Sequence, residues 1–127
     1  MELNKKKYDL EDRLIDFGVQ IIDVSETVDR KREAGRYLSG QLLRSGTSPA
    51  LHYGEAQAAE SRKDFIHKMK VILKELNETK RNLKMMSRSK LHNDTSAIKS
   101  ATSECGELIA IFVKSIQTAG RGKQRNR

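Results

Sequence analysis

The chain has 127 residues, enough for one domain of ordinary size. One proline, no tryptophan and 33% charged residues point away from sandwiches and barrels and towards helices; the longest apolar run, 108–113, is far too short to span a bilayer. A net charge of +8 suggests a polyanionic partner, although cations spread over solvated helix faces would give the same total.

Residues 1–7 form a basic N-terminal segment with three lysines, one glutamate and no apolar stretch of the kind a secretory signal needs. Cys105 is the single cysteine, so no intrachain disulfide framework is expected and a cytoplasmic protein is the default. Leu10, Leu14, Phe17, Ile21, Val24 and Val28 follow in steps of four and three, which predicts a first helix over about 8–29. Residues 8–33 carry eight acids and four bases, net −4, and Asp9, Asp12, Asp16, Asp23 and Glu26 fall off the apolar seam. Ile15, Val19 and Ile22 make a second apolar stripe on the same helix.

A polar connection leads to a second helix with Ala34, Leu38, Leu42 and Ser45 on one face. Ser48-Pro49 then intervenes, and the helix is expected either to restart at Pro49, with Ser48 as N-cap, or to bend sharply there. Beyond it Ala50, Gly54 and Ala58 place small residues on one face at steps of four, a surface that lets a neighbouring backbone come close; Tyr53 and Glu55 flank it. Ser61 followed by Asp64 has the spacing of a capping box, so a third helix starts near Arg62.

Phe65, Met69, Ile72, Leu76, Thr79, Leu83 and Met86 keep the rhythm through the third helix. Residues 62–90 hold ten bases and three acids, net +7. The fourth helix carries Ile98, Ala101, Cys105, Leu108 and Phe112, with Ile109, Val113 and Ile116 as a second stripe, and is expected to end near Ala119-Gly120. Residues 120–127, with four bases and no acid, read as a disordered basic tail. The expected fold is all-α, an antiparallel up-and-down four-helix bundle over 8–119. The extra stripes imply either a wider core or a subunit interface.

Candidate chemistry is sparse. His52 with Glu55 and Asp64 with His67 are carboxylate–histidine pairs three apart, but the first is reversed relative to the di-iron motif and the second is turned away from the Phe65–Met69 seam. Asp64 is better read as a capping residue and Cys105 as a small buried hydrophobe. No phosphate-binding loop, dinucleotide fingerprint or zinc spacing occurs in the sequence, so no enzyme, metal or cofactor is expected. The remaining chemistry is a basic face, Lys63, Lys70, Lys74, Arg81, Lys84 and Arg88, joined by Arg121 and Lys123 from the tail. Such a face suits phosphates, read electrostatically because aromatic side chains are few. Alternatively, its charges pair with the acidic first helix, within or between subunits.

The stretches "YDLEDRLIDFGVQII", "GQLLRSGTSPALHYGEAQAAESRKDFIHKM" and "LKELNETKRNL" resemble the small four-helix-bundle proteins encoded in intervening sequences of bacterial 23S ribosomal RNA genes, over about 8–118. Arg44, Ser48, Pro49, Tyr53, Gly54, Glu55, Ser61 and Asp64 belong to the long central motif, where the family pattern more often has Ala-Asn in place of Leu51-His52. The resemblance implies a ring-like homo-oligomer, a pentamer, and an association with ribosomal RNA genes. A related branch resembles the accessory protein that works with the reverse transcriptase of diversity-generating retroelements. Two functions follow as expectations: an accessory protein that binds RNA or another nucleic acid, or a structural module whose charges serve assembly or a protein partner.

Overall fold

The computed structural model describes residues 9–125, with side chains as far as Arg121. Four helices carry them: α1 (Leu10–Glu26), α2 (Glu33–Gln57), α3 (Arg62–Ser89) and α4 (Thr95–Arg125). The starts are set locally. Asp9 accepts from the Asp12 N–H at 3.1 Å, Ser61 from the Asp64 N–H at 3.0 Å and Asp94 from the Ala97 N–H at 3.0 Å, each satisfying a donor the first turn leaves free. α3 stops where Lys90 turns left-handed (φ 59°) and the Leu91 N–H closes back on the Met86 carbonyl at 3.1 Å.

The helices alternate in direction, each packed on the next, and α1 meets α4 along a thinner edge; α1 and α3 lie diagonally opposite, with no Cα atoms within 8 Å of each other. The core is the set of apolar seams. Leu14, Phe17, Ile21, Val24 and Val28 of the first segment are buried, as are Met69, Ile72, Leu76, Leu83 and Met86 on α3 and Ile98, Ala101, Cys105, Leu108 and Phe112 on α4. Burial of each large side chain contributes roughly 1.5–3 kcal/mol against the ordering entropy. Tyr53 adds an edge-to-face contact with Phe112, ring centres 6.0 Å apart.

α2 departs from expectation. It runs unbroken from Glu33 to Gln57 with Pro49 buried inside it, so it does not restart there and Ser48 is not an N-cap. Thr47 and Ser48 instead turn their hydroxyls back to the Leu43 and Arg44 carbonyls, both at 2.7 Å, in the turn that the proline deprives of a hydrogen bond. An interior proline costs about 3 kcal/mol, and here its ring sits on the core-facing side with Leu42, Ser45 and Gly46, where packing offsets that cost.

The close approach is also elsewhere. A Cβ on Gly54 would meet nothing within 4 Å, and both Gly54 and Ala58 are exposed. The tight glycines are Gly46, whose Cβ would lie 2.6 Å from Ile21 Cγ2, and Gly35, whose Cβ would collide with the Asp29 carbonyl. Gly35 rather than Ala34 is the buried residue at the start of α2.

α4 continues past Ala119-Gly120 to Arg125, so most of the segment read as a disordered tail is helical. Basic residues at a helix C-terminus complement its dipole, which favours the extra turns. Residues 1–7 lie outside the described residues, as does the side chain of Lys123. None of the described helices is long and apolar enough to cross a membrane.

Candidate functional site

α3 faces three environments. Its core face is apolar. Its α2 flank is polar: Asn82 Nδ2 donates to the Leu38 carbonyl at 3.0 Å, the Thr79 and Ser45 hydroxyls lie 2.8 Å apart, Arg44 pairs with Glu78 at 3.2 Å, and His52 Nδ1 lies 2.9 Å from Glu75. Burial pushes the Glu75 carboxyl above its ordinary range, and the His52 ring opposes part of that rise. The third environment is solvent, and there the charge collects.

Lys63, Lys70, Lys74, Arg81, Lys84 and Arg88 are all exposed. Their steps of seven, four, seven, three and four hold them on one side of the helix, which is what a 3.6-residue period requires. α3 has only three acids, and all are turned away. Asp64 sits in the first turn, 3.4 Å from Lys68, while Glu75 and Glu78 point to His52 and Arg44 of α2. Among the described residues, none of the six cations has a carboxylate within 4 Å, so the stripe carries its charge uncompensated there.

Pairing of the acidic first helix with α3 inside one subunit is therefore overturned. The two are diagonal, and α1 spends its own cation elsewhere: Arg13 donates to Glu104 at 2.8 and 2.9 Å and to Glu107 at 2.9 Å, a staple across the thin α1–α4 edge that raises the Arg13 pKa. Pairing between subunits stays available to the acids of α1.

Two cations missed by the periodicity widen the stripe. Lys80 is half-buried and reaches over α4; its Nζ lies 3.7 Å from where a Cβ on Gly106 would be. Lys99 is exposed seven residues before Gly106, hence on the same side of α4. The gap at Gly106 was the available signal. Arg121 is exposed just beyond Thr118 and Ala119, which share a pocket with Arg62 and Phe65, so it stands at the Lys63 end of the bundle.

The other candidates have the following surroundings. His52, Glu55 and His67 border one shallow pocket with Lys68, yet no three such ligands converge on a metal position among the described residues. Cys105 is buried, its thiol donates to the Leu76 carbonyl at 3.2 Å, and burial pushes its pKa up to about 12, so the thiolate is not available near neutral pH. His92 is buried at the far end of the bundle. Its Nδ1 accepts from the Asp94 N–H at 3.0 Å, which leaves Nε2 to face the Thr27 hydroxyl and ties the α3–α4 loop to α1.

Several large apolar side chains are exposed among the described residues, Leu51, Tyr37 and Met85 included. Ile15, Val19 and Ile22 are exposed on α1, and Leu43 is exposed on neighbouring α2. On α4, by contrast, Ile109 and Ile116 pack against the core and only Val113 is exposed, so that second stripe widens the core.

The family model of the 23S rRNA-intervening sequence protein matches residues 6–114. Among solved structures, the chain is similar to a protein of unknown function from the S23 ribosomal protein family of Bacteroides thetaiotaomicron: 30% sequence identity, a TM-score of 0.77, covering 85% of this chain and 98% of that one. No curated protein matches.

Proposed function

The chain belongs to the 23S rRNA-intervening sequence protein family, and on that basis we propose that it is a non-enzymatic accessory protein that associates with RNA or another nucleic acid through the outer face of α3. The observation that carries this reading is the uncompensated stripe: six exposed cations on one side of a rigid helix, with every acid of that helix turned to another partner. Phosphate oxygens are the ligands such a row suits, and each phosphate neutralised releases counterions. The exposed Ile15, Val19, Ile22 and Leu43 support a homo-oligomer as the working form, with a ring of five as the resemblance implies. A cyclic ring needs a heterologous contact, one patch against a different patch on the next copy. In a ring the stripe repeats, so modest contacts add by multivalency.

The test is a gel shift and a sizing run on the same proteins at two salt concentrations. Wild type binds RNA at low salt and releases it as salt rises. Reversing charge at Lys70, Lys74 and Arg81 together weakens binding while the oligomer persists; removing 120–127 weakens it further. If the triple reversal breaks the oligomer and wild type does not bind RNA, the stripe serves assembly, and the protein is an interaction module instead.

A further inference from the structure

We infer that the α3 stripe fits the phosphate backbone of a double helix rather than an unpaired strand. The inference rests on the nucleic-acid reading above and narrows it.

The first argument is length and stiffness. From Lys63 to Arg88 is 25 residues, about 38 Å along a straight helix, or about eleven base pairs of duplex at 3.4 Å each. The backbone positions that carry the cations are fixed along this row, because α3 is clamped on both flanks: to α2 through Leu38, Ser45 and His52, and to α4 through Cys105. A duplex presents phosphates at equally fixed positions. An unpaired strand must be ordered to match, at an entropic cost.

The second argument is what the stripe lacks. Proteins that hold unpaired strands offset that cost by stacking bases on aromatic rings. The chain has three tyrosines and three phenylalanines. Phe17 and Phe112 are buried, and Tyr53 and Phe65 are half-buried against the core. Tyr37 is exposed but stands on α2, and Tyr8 lies outside the described residues. The stripe carries no phenyl, phenol or indole ring; its one ring is the smaller imidazole of exposed His67, between Lys63 and Lys70.

The third argument is the physics of counterions. Contacts to a duplex release about 0.9 counterion per phosphate, contacts to a single strand about 0.7, so a purely electrostatic surface prefers the denser polyanion. Lys80 and Lys99, across the α3–α4 junction, broaden the surface from one row towards two.

The experiment uses the full chain with three probes: a 20-base-pair RNA duplex, either of its strands alone with a sequence that does not fold, and the DNA duplex of the same sequence. The RNA duplex is expected to bind about tenfold more tightly than the single strand, with a log–log salt slope of about −5 or steeper, the value for six phosphates. The DNA duplex follows the RNA duplex within a few-fold. Tyr37→Ala leaves binding unchanged. Gly106→Glu places an acid beside Lys80, where its Cβ makes no clash, and it weakens duplex binding without lowering the melting temperature. A single strand that binds as tightly as the duplex, or a loss of binding in Tyr37→Ala, overturns the duplex inference and leaves the nucleic-acid reading standing. No binding of any probe at low salt by an intact protein overturns both.

Discussion

The two flanks of α2 are held by different physics. Towards α1 the contact is close and made of backbone: the Cβ that Gly18 lacks would sit 3.8 Å from the Thr47 Cα, and Gly46 leaves its space to the Ile21 side chain. Towards α3 the contact is a ladder of polar groups, Leu38–Asn82, Ser45–Thr79, Arg44–Glu78 and His52–Glu75. A flank built on close approach tolerates no added volume and is indifferent to pH. A flank built on polar pairs depends on each partner being present and in the right protonation state. The second flank also does something for the surface beyond it. By drawing Glu75 and Glu78 inward to α2, it clears the solvent side of α3 of negative charge.

The sharpest test of the contrast is Gly46→Leu. Its side chain would enter space held by buried Ile21, and the expected loss is at the upper end of the roughly 1–3 kcal/mol that overpacking costs, read by urea unfolding. Gly54→Leu, in open space, should stay within about 0.5 kcal/mol of wild type. Similar losses at the two sites would collapse the distinction between the flanks.

Next in size is Thr79→Val. It takes the Thr79 donor from the buried Ser45 hydroxyl, which keeps only its long bond to the Leu42 carbonyl at 3.5 Å, and should cost about 1 kcal/mol. Adding Ser45→Ala should cost little more, because both polar groups are then gone. A double-mutant cycle with no coupling would mean the ladder does not act through its pairs.

Glu75→Gln is expected to act through pH. The folded state raises the Glu75 pKa, so it holds that proton more tightly than the unfolded chain does. The carboxyl's contribution is therefore complete below the unfolded value of about 4.5 and is lost as pH rises through the folded one. The glutamine variant should gain on wild type as pH rises towards neutral and lose that advantage in acid. An advantage that instead grows in acid would show that the His52 pair outweighs burial.

The smallest effect is Arg44→Ala. Its pair with Glu78 is half-exposed on both sides, and the change should cost less than about 1 kcal/mol, a cost that shrinks as salt rises. A larger cost would place the Gln41 contact, 2.9 Å from Arg44, in a cooperative network.

Much of the bundle was readable before any coordinates. Every seam residue of the third helix is buried except Phe65, which is half-buried, because a four-three rhythm over six steps has one geometric solution. The one-sidedness of Lys63, Lys70, Lys74, Arg81, Lys84 and Arg88 is readable for the same reason. Pro49 was not, because its local rule is a statement about an isolated turn, and buried packing on the core side overrides it. Gly54 looked like the close contact because small residues recur every four positions around it, yet spacing does not say which flank meets a neighbour. Arg13 gave no signal either: one cation on an acidic helix becomes a staple only when Glu104 and Glu107 are brought opposite.

Periodicity and caps are local, so they were enough to define four amphipathic helices, the start of the third at Ser61, and its basic side. Which helices become neighbours is a matter of how four apolar stripes close around one another, and that lies in no single segment. Only the packed bundle decided that Gly46 and Gly35, not Gly54, carry the close approach, and that α1 and α3 stand diagonal. Close packing is the reason. At a few ångströms' separation the identity of the facing residue decides the energy, and facing residues can be far apart in sequence, 91 positions in Arg13–Glu104 and 23 in His52–Glu75.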